Sequence, residues 1–454
     1  MNTNFSRRDF IKKSAWGAAT TFTLPAFLQQ TLFDLDARAQ TLPPQGEEGP
    51  ILLIMELGGG NDALNTVIPF SNSIYTGARP TLKLGEAQGV LPIGTSPNIQ
   101  GGMEDLALHP NLTAFNDLWN NGEMAIVNGV GYPNPNLSHF TSFDFWHSAE
   151  PNSVAKDGWV GRYFDSQCNG CEATQAIELA NRPTLALKSS AGLSPSVTFN
   201  DPEAFAWKDL TTPGREVPLE DLFRKLIGLD HPSDGGIDTS NESLAYVQRA
   251  AHNAMISTAN VRQANLDGGD LLYQDWPNSR LSRDLQLIAQ LIKGNVQTSI
   301  FYAHQGGYDT HNNQILNDNP LTGRHFTLLR DLNGALGAFA EEMKLQGKWD
   351  RVLIMTFSEF GRKVIQNGSG GTDHGAAESM FMMGGQVKGG QFYGKYPDLS
   401  EQARVKRHSM DHNVDFRTVY RSVLENWMQV PASAMDDIFP LQPSPEEFQP
   451  IQFV

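Results

Sequence analysis

The run Ile51-Leu52-Leu53-Ile54-Met55, stopped by Gly58-Gly59-Gly60-Asn61-Asp62, constrains this chain more than any other feature. A short, continuous apolar run suits a strand buried on both faces, and so a parallel sheet covered by helices. Comparable runs recur at Ala125-Ile126-Val127, Ile300-Phe301-Tyr302-Ala303, Val352-Leu353-Ile354-Met355-Thr356-Phe357 and Met380-Phe381-Met382-Met383. Each leads into a polar or glycine-rich loop. Helical periodicity lies between them: Leu329, Leu332, Leu336, Phe339 and Met343 share one face, as do Phe416, Val419, Val423 and Trp427. Alternating strands and helices predict a doubly wound, mostly parallel α/β sandwich, in which sites gather at the carboxyl ends of the strands.

Outside that pattern lie the ends. Ser6-Arg7-Arg8-Asp9-Phe10-Ile11-Lys12, a weakly apolar stretch from Ala15 to Leu28 and the small-residue site Ala37-Arg38-Ala39 have the order of a cleavable targeting peptide. The paired arginines point to the twin-arginine export machinery as a partner. Gly17, Thr20, Thr21, Thr23 and Pro25 interrupt the apolar part, which falls short of the ~20 residues of a spanning helix, so no stable membrane anchor is expected. The chain divides into a signal over 1–39, a linker over 40–49, and an α/β domain over 50–430. A mostly helical insertion is expected at about 190–278 and a proline-rich tail over 431–454. The expected location is periplasmic or secreted.

Residues 1–39 carry five basic and three acidic side chains, so their removal takes the net charge from −16 to −18. A surface this acidic repels phosphate backbones and anionic lipid, which argues against nucleic acid or a membrane surface as partner. An anionic substrate then needs a local positive counterweight such as a metal ion. Cys168 and Cys171 are the two cysteines. One CxxC cannot supply four zinc ligands, and it reads as a local disulfide or two idle thiols.

Four strand-end loops carry the chemistry. They offer Asp62, then Asp309 with His311, then Glu359, then Asp373 with His374. Carboxylates and imidazoles meeting at one edge suit a divalent metal: zinc, manganese or calcium. Each element alone is weaker, since an Asp in a glycine turn is commonly a cap or an Asx turn. No GxGxxG or GxxxxGK phosphate loop follows the first strand. Ser138 precedes Phe140-Thr141-Ser142-Phe143, a helix start whose amides can face an anion. It reads equally as a nucleophile or an N-cap. Arg362 and His139 are candidates to hold a substrate anion, and His412 reads as a helix-start residue.

Tyr132-Pro133-Asn134-Pro135-Asn136-Leu137-Ser138-His139-Phe140, Gly306 to His311, Phe357-Ser358-Glu359-Phe360-Gly361-Arg362 and Gly371-Thr372-Asp373-His374-Gly375 resemble, in that order, the bacterial domain-of-unknown-function 1501 family. The resemblance covers nearly all of the chain after the signal. That family is grouped with the alkaline phosphatase-like superfamily, which implies a metal-dependent hydrolase or transferase fold. On it, Asp62 matches the superfamily's first metal-binding Asp, and Asp309 with His311 its middle pair. Asp373-His374-Gly375 matches the Asp-His-Gly motif, or Ser358-Glu359-Phe360-Gly361 stands in its place with His374 as the final His. The second alignment preserves strand order and is preferred, although it puts Phe360 where a histidine ligand belongs. The sulfatase Cys/Ser-x-Pro-x-Arg motif is absent.

The leading expectation is an exported metal-dependent hydrolase of phosphate- or sulfate-type esters, its substrate a small anionic or carbohydrate-linked ester. Asp62, Asp309, His311, Glu359, Asp373 and His374 form its metal-ligand pool, and Ser138 and Arg362 are its catalytic candidates. The alternative is a non-catalytic binding or assembly protein on the same scaffold. A redox protein using Cys168 and Cys171 is a third class.

Overall fold

The structure is a computed structural model that describes residues 49–168, 171, 174–190, 194–201, 210–212, 215–217, 256–405, 408–441 and 450–454. The expected signal, most of the linker and most of the helical insertion lie outside the described residues.

All five apolar runs are strands of one nine-stranded sheet. Its members are β1 (Ile51–Gly58), β2 (Met124–Gly131), β3 (Ala176–Leu179), β4 (Ser196–Phe199), β5 (Ile300–Gly306), β6 (Val352–Phe357), β7 (Glu378–Met383), β8 (Phe392–Tyr393) and β9 (Val414–Asp415). The order is β8-β2-β7-β6-β1-β5-β3-β4, with β9 also paired to β2. β1 lies between β5 and β6, parallel to both. Only β7 runs against the rest, antiparallel to β6 and β2. The α/β class expected from the apolar runs is therefore the fold observed.

The side chains of β1 alternate between two cores. Leu53, Met55 and Leu57 pack with α1 (Thr113–Asn120), α4 (Arg280–Lys293) and α5 (Arg324–Leu345). Leu52 and Ile54 pack with α2 (His139–Ser148), α3 (Trp159–Gln167) and α6 (Phe416–Ser422). Leu329, Leu332, Leu336, Phe339 and Met343 are fully buried, as their spacing requires. Asp415 caps α6 by accepting from the amide of Arg417, so the helix-start role expected of His412 belongs to Asp415. The tail does more than wrap the surface, because Ile438, Phe439 and Phe453 are fully buried in the second core.

Cys168 and Cys171 form a disulfide. Among the described residues, no helix is long and apolar enough to cross a membrane.

Candidate metal centre

The carboxyl end of β1 is where the segments converge. Gly59 and Gly60 have φ of 119° and 77°, a region that suits glycine. A Cβ on Gly59 would stand 2.4 Å from the amide nitrogen of Asp309, and one on Gly60 would stand 2.6 Å from the Phe360 ring. Two missing side chains thus let the loops after β5 and β6 close onto the turn.

Glu359 ties these loops together. It is fully buried and accepts from the amides of Gly59 at 3.0 Å and Gly60 at 3.0 Å. Its Oε1 also meets Nδ1 of His139 at 2.5 Å. Expected as a metal ligand, Glu359 instead spends its oxygens on two amides and an imidazole.

Arg362, expected to face a substrate anion, is also fully buried. Its guanidinium donates to the carbonyls of Gly60 at 2.7 Å, Thr372 at 2.9 Å and Tyr308 at 2.9 Å, and also to that of Gly59. It reaches Asp309 Oδ1 at 2.9 Å. The residue braces three loops, and that burial leaves no face for a substrate.

Asp62, expected as the first metal ligand, is neutralised elsewhere. Its Oδ2 takes Arg79 Nη1 at 2.6 Å and Gln314 Nε2 at 2.5 Å in a fully buried pair. Burial alone would raise its pKa, but Arg79 more than offsets this and the carboxyl is held below its ordinary range.

What the loops present together is His139, Asp309 and His374, with ligand atoms all within 4.8 Å of one another. His311 adjoins them, its Nε2 2.9 Å from that of His374 and 3.3 Å from Asp309 Oδ1. Each imidazole is held through Nδ1 by an acceptor: His139 by Glu359, His374 by the Leu137 carbonyl at 2.8 Å, His311 by Asp373 at 3.2 Å. An acceptor there fixes the proton on Nδ1, so each neutral ring turns an Nε2 lone pair inward. Nε2 of His139 is buried without a hydrogen-bond partner, 3.5 Å from Asp309 Oδ2. Three lone pairs and a carboxylate therefore face one another. That arrangement is repulsive unless a proton or a cation lies among them.

The electrostatics favour positive charge at His139 and a neutral ring at His374. The Glu359 hydrogen bond raises the pKa of His139 against the opposing effect of burial. Burial lowers that of His374. Partial burial would raise Asp309, but Arg362 and His374 hold it at about 2. Lys363, 3.0 Å from Asp373, holds that carboxyl at about 2. Asp373, expected as a ligand, thus supports His311 instead. Phe360 packs on the rings of His139 at 4.9 Å and His374 at 4.5 Å, fixing their planes.

Ser138 occupies the N-cap position of α2 but makes no capping hydrogen bond. Its neighbours on both sides belong to the centre, Leu137 through its carbonyl and His139 through its ring. Sequence reasoning set His139 against a substrate anion, whereas the fold groups it with Asp309 and His374. Its local signal, a His at a helix start, does not distinguish it from a residue facing an anion.

Solved structures similar to this chain include the PsFucS1 sulfatase from Pseudoalteromonas sp., 10% identical over 88% of this chain and 75% of that one, with a TM-score of 0.34. The lipoteichoic acid synthase LtaP from Listeria monocytogenes is 11% identical over 81% of this chain and 74% of that one, with a TM-score of 0.30. A protein in the alkaline phosphatase superfamily from Vibrio parahaemolyticus is 10% identical over 82% and 70%, also at 0.30. These likenesses are too loose to carry over a residue or a reaction. No curated protein matches the chain by sequence. A family model described as "Protein of unknown function (DUF1501)" matches residues 51–439. With most of its length inside that match, the chain belongs to the DUF1501 family.

Proposed function

We propose that the protein is a metal-dependent hydrolase of phosphate- or sulfate-type esters, exported in folded form by the twin-arginine route. The observation that carries this is the convergence of two Nδ1-tethered imidazoles, His139 and His374, with Asp309, and with the tethered His311 beside them. Imidazole nitrogens with one carboxylate suit zinc foremost and manganese next, whereas calcium favours an all-oxygen shell.

His139, Asp309 and His374 would hold the ion, with His311 beside them. A divalent metal bound there supplies Lewis acidity toward an ester oxygen. The protein's own part is orientation. Glu359, Leu137 and Asp373 keep the ring protons on Nδ1, and Arg362 keeps one oxygen of Asp309 engaged. Ser138, with its hydroxyl not used for capping, is the protein nucleophile nearest in sequence to a ligand.

Elemental analysis of the protein purified after native export tests the reading. Stoichiometric zinc or manganese, lost in both His139→Ala and His374→Ala, is the expected result. Metal-free protein that cannot be reconstituted would instead favour a non-catalytic binding protein on this scaffold.

A further inference from the structure

A second feature of the same sheet edge lies outside the metal centre. A cavity of about 550 Å3 opens where β3 and β5 end, between residues 179–182, residues 304–306, the start of α4, and α5. Sites of sheets of this kind collect at this edge, and the volume suits a small organic ligand.

Its lining mixes apolar and polar surface and carries two cations, Arg182 and Arg280. Arg182 is exposed and has no hydrogen bond or ion pair with any described residue. Arg280 is 66% exposed, and its nearest carboxylate, Asp284, is 3.8 Å away. Arg280 is the first residue of α4, where the helix dipole disfavours a cation, and no acidic residue occupies that first turn. Ser279 caps the amide of Ser282, which leaves the amides of Arg280 and Leu281 as donors without intrahelical partners. A cation held where the helix disfavours it, beside free amides, favours an anion in the cavity. Asp331 also lines the cavity; Arg330 holds its Oδ1 at 2.9 Å, and its Oδ2 is an acceptor suited to hydroxyl groups. The imidazole of His304 also lines the cavity, but both of its nitrogens are committed, to Glu56 and Glu178.

The geometry points to a binding site for an anionic sugar, a monosaccharide-sized group bearing a sulfate, phosphate or carboxylate, with the anion on Arg182 and Arg280 and hydroxyls on Asp331. Gly306 lines the cavity, and Asp309 of the metal centre follows three residues later, a span of at most about 11 Å. A ligand that extends beyond the cavity along this segment would approach the metal centre. That last step rests on the proposed hydrolase reading; the pocket itself does not.

Chelator-treated full-length protein, titrated calorimetrically with glucose 6-sulfate, glucose 6-phosphate, glucuronate and glucose, tests the pocket without the metal. At least one charged sugar should bind ten times or more tighter than glucose, and which one does so identifies the anion. The Arg182→Gln/Arg280→Gln protein should lose at least tenfold of that affinity while its zinc content after reconstitution stays that of wild type. Failure of all three charged sugars to bind wild type, or equal binding by the double variant, overturns the proposal. Failure to take up zinc sinks the hydrolase reading alone.

Discussion

Glu359 meets the Nδ1 of His139 at 2.5 Å across 220 residues of sequence, while the amide of Gly59 donates to the same oxygen and that of Gly60 to the other. Carboxylates placed behind a metal-binding imidazole set its tautomer and its aim, and their loss typically costs about 10–100-fold in metal affinity. Glu359→Gln is therefore expected to weaken zinc by that factor in a chelator-competition titration. Wild-type affinity would show that His139 is not a ligand.

Asp62 gives a contrasting expectation. Its removal leaves Arg79 buried without its charge partner, a change that destabilises by about 3–5 kcal/mol. Asp62→Ala should lower the urea midpoint strongly yet retain metal in whatever fraction stays folded. Loss of metal from a fully stable Asp62→Ala protein would return Asp62 to the ligand set.

Gly59 tests the closure of the loops. Gly59→Ala puts a Cβ 2.4 Å from the Asp309 nitrogen and forces a side chain to φ of 119°. Strain of that kind costs about 1–3 kcal/mol. The displacement of Asp309 should show as metal loss under conditions where circular dichroism still reports a folded chain. A fully loaded variant would mean that the approach is looser than described.

His304 sets an alkaline limit. Burial alone would lower its pKa, but Glu56 at 3.3 Å and Glu178 at 2.9 Å raise it to about 10. A folded pKa above the unfolded ~6.5 means that the folded state holds the proton more tightly. The stabilisation is complete below about pH 6.5 and is lost as pH rises through about 10. Urea unfolding should show stability falling across that interval in wild type, with a flatter profile in His304→Gln. Identical slopes would remove His304 from the account.

Export can be tested by fractionation. Replacing Arg7 and Arg8 by Lys should leave the protein in the cytoplasm, with its mature sequence untouched. Unimpaired export of that variant would rule out the twin-arginine route.

Much of this was legible in the sequence, and the exceptions share a cause. Apolar runs found β1, β2, β5, β6 and β7, because strands buried on both faces need nothing else. β3 was missed because Glu178 lies in its middle, its buried carboxylate met by His304 from β5 and by Thr184 and Thr198. Glu56 likewise cut the apparent end of β1 short, and it is held by His147 at 2.8 Å. At the candidate centre, strand-end position pointed to Asp309, His311 and His374, which the fold brings together. It could not separate a ligand from the group behind it, since Glu359 and Asp373 differ from Asp309 only in what they face. Asp62, expected as a ligand, is paired with Arg79, which lies 17 residues away on no recognisable motif.

The placement of β1 at the middle of the sheet also bears on when this protein can become itself. Leu52 pairs with Ile300 and with Leu353, so the first strand made waits for partners translated about 250 and 300 residues later. At about 5–20 residues per second, that is a delay of roughly 12 to 60 seconds in which an apolar strand has no sheet to join. Neither the core nor the metal centre can close until His374 and β7 have emerged. On the export route proposed above, a chain that completes its sheet before departure is spared that exposure during transport.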